Sequence, residues 1–407
     1  MVLHLPLFCV FYDYNFRKGK ANRFVFVAEH MNYLALKDVC CINMGQSPDS
    51  KSYNDSKEGI PFFQGNADFG ERYPITRVWC NAPTKIAEKD DILISVRAPI
   101  GALNYAKETC CIGRGLAAIT PNKTKVSTEF IFWLLKGKNN ELNRLGTGST
   151  FKAISKKILE ETKVPDISLE KQTAYSNILE KLYSIITHLC TQLEKLDLLV
   201  KARFVEMFGD VINNTKRWKI YLFSEITISR LGKMLDKKSQ TGKLKLPYLA
   251  NFNVQWFQFK LDNLNMMDFN EKEQIEFSLE DDDLLVCEGG EIGRCAIWHN
   301  EITPCYFQKA LHRVRCNKSI IIPIYLAWWF KFNCDNNGFS EIEGAKATIA
   351  HLPGAKLKKL PIAVPPLNLQ NQFADFVKQV DQSKSILQQE LDKAQMLFDS
   401  LMQEYFG

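Results

Sequence analysis

KVPDISLEKQ at residues 163–172 opens a long run free of Pro and Gly that closes on RFVEMFG at 203–209, and about 200 positions later AVPPLNLQNQ at 363–372 opens a second such run that closes on LMQEYFG at 401–407. Val164, Pro165, Leu169 and Gln172 match Val364, Pro365, Leu369 and Gln372 at an offset of 200, whereas Phe208-Gly209 and Phe406-Gly407 lie 198 apart. This alignment puts a two-residue difference inside the helical run. A chain that repeats itself at this period is expected to build the same unit twice, and the two copies predict a pseudo-twofold molecule.

The segments ahead of the two runs match as well, more faintly. GIPFFQGN at 59–66 faces LPYLANFN at 246–253, each with a Pro, two large apolar residues and an Asn soon after. DDILISVRAPIG at 90–101 faces DDLLVCEGGEIG at 282–293, which aligns Asp91 with Asp283 and Gly101 with Gly293. CIGRGLAAI at 111–119 faces YFQKALHRV at 306–314. Markers that keep their order while the offset drifts describe one fold with loops of differing length. Within each copy, residues 92–96 and 284–287 read as strands, as do 117–119 and 294–298. Residues 130–135 and 324–330 read as small core helices, the first behind a Thr128 cap.

The long runs have a different texture. Apolar residues fall at Ala174, Ile178, Leu182, Ile185, Leu189, Leu193, Leu196, Leu199, Phe204 and Met207, and again at Phe373, Val377, Val380, Leu387, Leu391, Ala394, Leu397 and Leu401. Steps of three and four sustained this far describe a coiled-coil stripe. Each helix would be about 60 Å long, too long for the core of a small domain, so each needs a partner. The other copy supplies it. Antiparallel packing restores the pseudo-twofold, with Leu182, Ile185, Leu189, Leu193 and Leu196 expected to face Val377, Val380, Leu387, Leu391 and Ala394. The fold class is therefore α+β: two pseudo-twofold-related mixed α/β domains separated by two long helices packed as an antiparallel coiled coil. The boundaries read as an atypical leader at 1–30, a first domain at 31–167, a central long helix and linker at 168–210, a second domain at 211–367 and a C-terminal long helix at 368–407.

Composition is that of an ordinary soluble protein, 46% hydrophobic and 24% charged, with a formal charge of +6 that leans mildly toward polyanions. Twelve cysteines include two adjacent pairs, Cys40-Cys41 and Cys110-Cys111, but no Cys-x2-Cys, and the histidines do not join them at ligand spacing. They read as free thiols of a reducing, cytoplasmic compartment. The apolar stretch 1–11 precedes Arg17, Lys18, Lys20 and Arg23, the reverse of a secretory signal, and is too short to span a bilayer. It reads as an irregular or extra leader, or a stretch ahead of the native reading start.

Signatures of catalysis are missing. The chain contains neither a Gly-x-Gly-x-x-Gly loop nor a phosphate-binding Gly-x4-Gly-Lys-Ser/Thr loop, and it has no Gly-x-Ser-x-Gly elbow and no His-Glu-x-x-His. The Asp281-Asp282-Asp283 run reads as the turn before a strand, as Asp90-Asp91 does, in preference to a metal site. The chain by itself is expected to catalyse nothing.

These features together resemble the DNA-specificity subunit of type I restriction–modification systems. The resemblance rests on KDV at 37–39 with GQSP at 45–48, GSTFKAIS at 148–155 followed by Val164-Pro165, EIEGAKAT at 341–348, KKLPIAVPPL at 358–367, and the helix ends RFVEMFGD at 203–210 and LFDSLMQEYF at 397–406. It runs from about residue 33 to the end, and departs from the family in the leader and in a first Val-Pro-Asp where the second copy keeps Val-Pro-Pro-Leu. The resemblance implies two target-recognition domains, each reading half of a bipartite sequence in double-stranded DNA, with the two helices as a ruler across the unread spacer. It implies two methyltransferase (modification) subunits docked on those helices, joined for cleavage by restriction and translocation subunits. No cofactor is implied in this chain; S-adenosylmethionine is implied on the modification subunits, and ATP and Mg2+ for restriction. The rival from another class is a coiled-coil scaffold or decoy that binds modification subunits without reading DNA.

A reading domain holds its register through phosphates and reads base edges with amide, hydroxyl and cationic side chains. In the first domain such side chains are Gln46, Ser47, Gln64, Asn66, Arg97, Asn104, Arg114, Ser149, Thr150 and Lys152. In the second they are Lys243, Asn251, Asn253, Glu288, Arg294, Lys309 and Lys346. Each also has a plainer use: Arg97 or Arg294 can pair with a neighbouring carboxylate, Asn66 and Asn251 can cap turns, and Arg313 and Arg315 can be ordinary surface.

Overall fold

The computed structural model describes residues 32–147, 152–234, 245–340 and 351–407. The chain forms two compact units, one containing the residues up to Leu182 together with Leu397–Gly407, the other Tyr183–Met396. Each therefore takes one end of each long helix. Among the described residues no helix is long and apolar enough to cross a membrane.

In the first unit the apolar run at 92–96 becomes the strand Ile92–Ser95, buried on both faces. It is bordered by Leu103–Tyr105 and Leu116–Pro121, and Cys40–Met44 closes the far edge of this four-stranded antiparallel sheet. A second sheet of five strands contains one parallel pair, Ile60–Phe63 beside Cys110–Ile112, with Phe62 opposite Cys111 and Phe63 opposite Ile112. Helix Thr128–Gly137 is buried nearly all round, as its continuous apolar run requires. Its cap is Ser127, whose Oγ accepts from Phe130 N at 3.1 Å, and not Thr128, which lies inside the first turn.

The second unit is built on the same plan. Its four-stranded sheet runs Thr227–Leu231, Leu311–Cys316, Leu284–Cys287, Cys295–Ile297, the same order as in the first unit, and Lys245–Leu249 beside Tyr306–Phe307 is again the parallel pair. The turns confirm equivalence residue by residue. Asp91 and Asp283 are both buried, and their carboxylates accept from Glu88 N and Glu280 N at 2.9 and 2.8 Å. Asp283 also takes a bidentate contact from Arg315, so the acidic run at 281–283 is a strand-entry turn. Gly101 and Gly293 take φ of +87° and +79°, a backbone conformation that glycine tolerates.

Each unit is closed by a two-stranded ribbon that leads into a long helix: Tyr33–Ala35 with Lys163–Pro165, and Lys219–Leu222 with Pro361–Val364. The long helices are Leu169–Phe208 and Leu367–Phe406, 40 residues each. Their first and last residues stand 198 apart, so the copies keep one offset throughout and no two-residue difference lies inside the helical run. Leu169 is equivalent to Leu367 and Gln172 to Gln370, in place of the Leu369 and Gln372 expected from sequence. The second copy offers Leu and Gln twice, two positions apart, and the Val-Pro match selected the wrong pair.

The buried stripe is correspondingly sharper than the sequence suggested. On the first long helix the buried and half-buried positions include Leu179, Leu182, Ile186, Leu189, Leu193, Leu196 and Val200, alternating steps of three and four. On the second they include Phe373, Val377, Val380, Lys384, Leu387, Leu391, Ala394 and Phe398, with the same alternation. Ile178, Ile185, Leu199 and Leu397, expected in the stripe, are 41–50% exposed, and Ala174 is exposed as well. At Ile178-Leu179, Ile185-Ile186, Leu199-Val200 and Leu397-Phe398 the chain presents two adjacent apolar residues, and the 3.5-residue period takes the second of each. Within the second unit the pairing is antiparallel, because Phe373 packs on Phe204 and Phe208 while Lys384 reaches Asp197. In the first unit Tyr175 stacks on Tyr405 at 3.7 Å, and Phe398 and Phe406 pack on Trp133 and Phe130.

The eleven described cysteines are free thiols. Burial pushes Cys40, Cys110 and Cys305 up to about 12, which keeps them protonated and inert.

Candidate nucleic-acid interface

In the first unit the two parallel strands end together, so the segments that leave them converge with the loop after Cys40–Met44. Gly45 N donates to Leu116 O at 2.9 Å, Gln46 N to Ile112 O at 3.1 Å, Gly113 N to Phe63 O at 2.8 Å and Gly115 N to Gln64 O at 3.1 Å. The backbones approach so closely that a Cβ on Gly45 would stand 2.2 Å from Gly113 O. This is a packing reason for glycine in GQSP. On that frame Ser47 Oγ donates to Gln64 Oε1 at 3.0 Å and accepts from Arg114 N at 3.2 Å. Gln46, Gln64 and Arg114 are exposed. Burial, with Cys80, Cys111 and Asp49 nearby, holds the Tyr53 hydroxyl above its ordinary pKa, and the Arg114 charge pulls the other way.

Three further candidates surround this cluster. Asn66 is half-buried in the following 3-10 turn, where its carbonyl accepts from Phe69 N at 3.0 Å. Arg97 and Lys152 are both exposed on adjoining segments, joined by Ala98 N donating to Lys152 O at 3.1 Å, and Val96 N donating to Gly115 O at 2.9 Å brings them to the flank of the loops. Asn104 does not belong here. It is buried, its amide exchanges hydrogen bonds with Gly70 N and O at 3.1 Å, and its remaining donor goes to Leu103 O. An asparagine inside a strand is as easily a core fastener as a reading residue, and the buried side of the strand decides.

The second unit repeats the frame with different side chains. Gly232 N donates to Leu311 O at 3.0 Å, Lys233 N to Phe307 O at 3.1 Å and Gln308 N to Leu249 O at 3.0 Å. Lys233 thus stands where the first unit has Gln46, and Lys309 where it has Arg114. Lys233 is turned inward, with Nζ donating to Asp268 O and Glu273 Oε2 at 2.6 Å each. Lys309 is exposed and has no ion-pair partner among the described residues. It lies on the rim of an open cavity of about 640 Å³ that also includes Arg230, Glu276 and Phe277, and Arg230 is paired to Glu276. Glu288 flanks the same loop, its backbone bonded to Ala310 and Leu352.

Three candidates of this unit, Asn251, Asn253 and Arg294, are structural. Asn253 is buried and fixes its own turn, accepting from Ala250 N at 2.8 Å and donating to Lys260 O at 2.8 Å. Arg294, its side chain 17% exposed, clamps two loops: Nη2 donates to Asn251 Oδ1 at 2.7 Å and to Asn251 O at 3.2 Å, while Asn251 Nδ2 donates to Gly289 O at 2.9 Å. The carboxylate pairing expected of Arg294 exists with Glu291, at 3.7 Å. Ser149, Thr150, Lys243 and Lys346 lie outside the described residues.

Sequence reading missed the residues that hold the loops. Asp68 accepts from Gln64 N at 2.7 Å and Gly65 N at 3.3 Å, Thr84 Oγ1 donates to Gln46 O at 2.6 Å, and the Arg77 guanidinium donates to Ala67 O at 3.2 Å. Asn-Ala-Asp after Gly65 carried a turn signal for Asp68; Thr84 and Arg77 carried none. The described residues hold one grouping of metal-ligand type, Asp281, Asp282 and His299, at an exposed turn where Lys318 Nζ binds Asp282 at 2.5 Å.

Comparison with known proteins agrees with this geometry. The sequence profile of the family described as type I restriction modification DNA specificity domain matches twice, at residues 29–197 and 215–396. The type I restriction enzyme MjaX specificity subunit of Methanocaldococcus jannaschii is 48% identical over 145 residues, 36% of this chain and 34% of that protein. The MjaIX specificity subunit of the same organism is 27% identical over 186 residues, 43% of each. The matches thus span less than half the length of these curated relatives. The crystal structure of a type I restriction–modification system S subunit from M. genitalium is similar over 94% of this chain and 98% of its own, with a TM-score of 0.58 and 15% identity, a likeness of fold alone.

Proposed function

The chain belongs to the type I restriction modification DNA specificity domain family, and we propose that it works as the specificity subunit of such a system, reading a bipartite target in double-stranded DNA. One observation carries this reading. Two units share the order of a four-stranded sheet and a loop frame in which the backbone bonds from Gly45, Gln46 and Gly113 recur from Gly232, Lys233 and Gln308, and they differ in the side chains on that frame. Arg114 answers to Lys309, both exposed, whereas exposed Gln46 answers to Lys233, which is turned inward. A scaffold has no use for two divergent loop sets on one frame, whereas a reader of two different half-sites needs them.

In this reading Gln46, Ser47, Gln64, Arg97, Arg114 and Lys152 meet the first half-site, and Lys309 and Glu288 the second. Arginine and glutamine suit the paired acceptors and donors of guanine and adenine in the major groove. The long helices carry two modification subunits, which bring S-adenosylmethionine and methylate adenine in the cytoplasm; ATP and Mg2+ serve the restriction subunits. The chain itself is non-catalytic. Expression with its modification subunits in a methylation-free host, followed by sequencing of modified adenines, tests this. One two-part sequence with a fixed spacer is expected. Methylation without sequence preference, or none, contradicts it.

A further inference from the structure

Gln172 and Gln370 are almost completely buried polar side chains, at 1% and 0% exposure, in the first turns of the two long helices. Each satisfies its whole amide. Gln172 accepts from Ser127 N at 2.9 Å and donates to Lys125 O at 3.1 Å and Ile167 O at 2.9 Å. Gln370 accepts from Ile322 N at 3.0 Å and donates to Ile320 O at 2.9 Å and Pro365 O at 2.7 Å. The partners are equivalent in position and unlike in identity: Lys125 and Ser127 against Ile320 and Ile322, Ile167 against Pro365. All contact the amide through their backbones. Each strap binds the start of a long helix to the segment that enters the core helix of its own unit, Thr128–Gly137 or Pro323–Asp335.

Helix capping alone does not account for this. In the first copy Ser168 Oγ already accepts from Lys171 N at 3.3 Å, and in the second the corresponding residue is Pro366. The cap differs between copies while the glutamine strap persists. Only a carboxamide supplies one acceptor and two donors at this length. Leverage explains why a rigid joint matters here: a helix of 40 residues is about 60 Å long, so a tilt of about 3° at its root moves its far end by about 3 Å, close to the 3.4 Å rise of one base pair.

We propose that Gln172 and Gln370 are twin positioning residues that fix the direction in which each long helix leaves its unit, and thereby confine the target to a single spacer length. The proposal rests on the specificity-subunit reading above and adds the residues that set the spacing tolerance. Its test is methylation mapping with the intact chain and its modification subunits, comparing the parent with Gln172→Met and Gln370→Met. Both half-sites are expected to be retained in either variant. Methylation at sites whose spacer is one base pair longer or shorter should rise by about tenfold, equivalent to about 1.4 kcal/mol less discrimination. An unchanged spacer distribution, at full or reduced total methylation, overturns the proposal. Should a Met variant fail to fold by circular dichroism, Gln172→Glu and Gln370→Glu take its place, keeping the length and one acceptor while losing the donated bonds. Loss of folding in all four variants would assign the glutamines to the core alone and equally overturn it. A parent chain that directs no bipartite methylation would instead sink the specificity reading, which keeps the two failures apart.

Discussion

Lys384 Nζ lies 2.7 Å from Asp197 Oδ1, and Lys384 occupies a seam position of the second long helix whose neighbours in the stripe, Val380 and Leu387, are apolar. A polar residue at one such position specifies register more than it adds stability. Asp381 is nearby, its carboxyl held above the ordinary value by burial, with Lys384 opposing and Asp197 adding to the shift. This polar contact marks where the antiparallel seam is pinned in the second unit.

The seam gives a paired prediction. Leu189→Asp places a charge in the half-buried stripe and should cost about 1–3 kcal/mol of stability. Ile185→Asp, at a position 48% exposed, should cost less than about 0.5 kcal/mol. Denaturant titration of both variants decides; equal losses would mean that the stripe is misassigned.

Much of this architecture was legible in the sequence, and the failures have physical causes. Strand runs at 92–96 and 284–287, the core helices and both long helices follow from periodicity and from Pro and Gly punctuation. Seam positions were misread where two apolar residues stand side by side, because sequence spacing of three or four accepts either and only the sustained 3.5 period separates them. In the candidate site, Ser47, Gln64 and Arg114 come together as a loop-based reading suggests. Asn104, Asn253 and Arg294 turned inward because an amide or guanidinium that meets backbone carbonyls in its own unit is satisfied there, and which carbonyls lie within reach is set by tertiary packing.

A second prediction concerns helix length. Both units hold both helices, so lengthening one alone should break the seam. Matched insertions of seven residues, one between Leu189 and Leu196 and one between Leu387 and Ala394, keep the heptad phase and add about 10 Å, close to three base pairs. Sequencing of methylated sites should show both half-sites intact and the spacer longer by about three. A single insertion should abolish methylation and lower the melting temperature.

The loops supply a third. Arg114→Ala and Lys309→Ala should each weaken binding of a target duplex by about tenfold or more while leaving the melting temperature unchanged. Parent binding should itself fall by about 10³–10⁵ between 50 and 200 mM salt if six to ten phosphates are contacted. Asn104→Ala and Asn253→Ala should do the reverse, lowering the melting temperature through orphaned buried backbone groups. Fluorescence anisotropy beside thermal melts separates the two classes.

A fourth follows from His312. Its buried imidazole, Nε2 3.0 Å from Leu352 O, is held below the ordinary value of 6.5, chiefly by burial. The unfolded chain therefore takes up the proton first as the solution is acidified. Stability from this residue is complete above about pH 6.5 and falls below it, until the folded imidazole also protonates. Melting temperature measured from pH 7.5 down to 5.5 should decline more steeply for the parent than for His312→Asn; parallel profiles would remove His312 as a source.

In the proposed function each unit reads its own half-site. Replacing residues 33–160 with the matching segment of another family member, then mapping adenine methylation in the presence of the modification subunits, tests it most directly. One half of the recognised sequence should change while the other half and the spacer stay as they were. A change in both halves would contradict it.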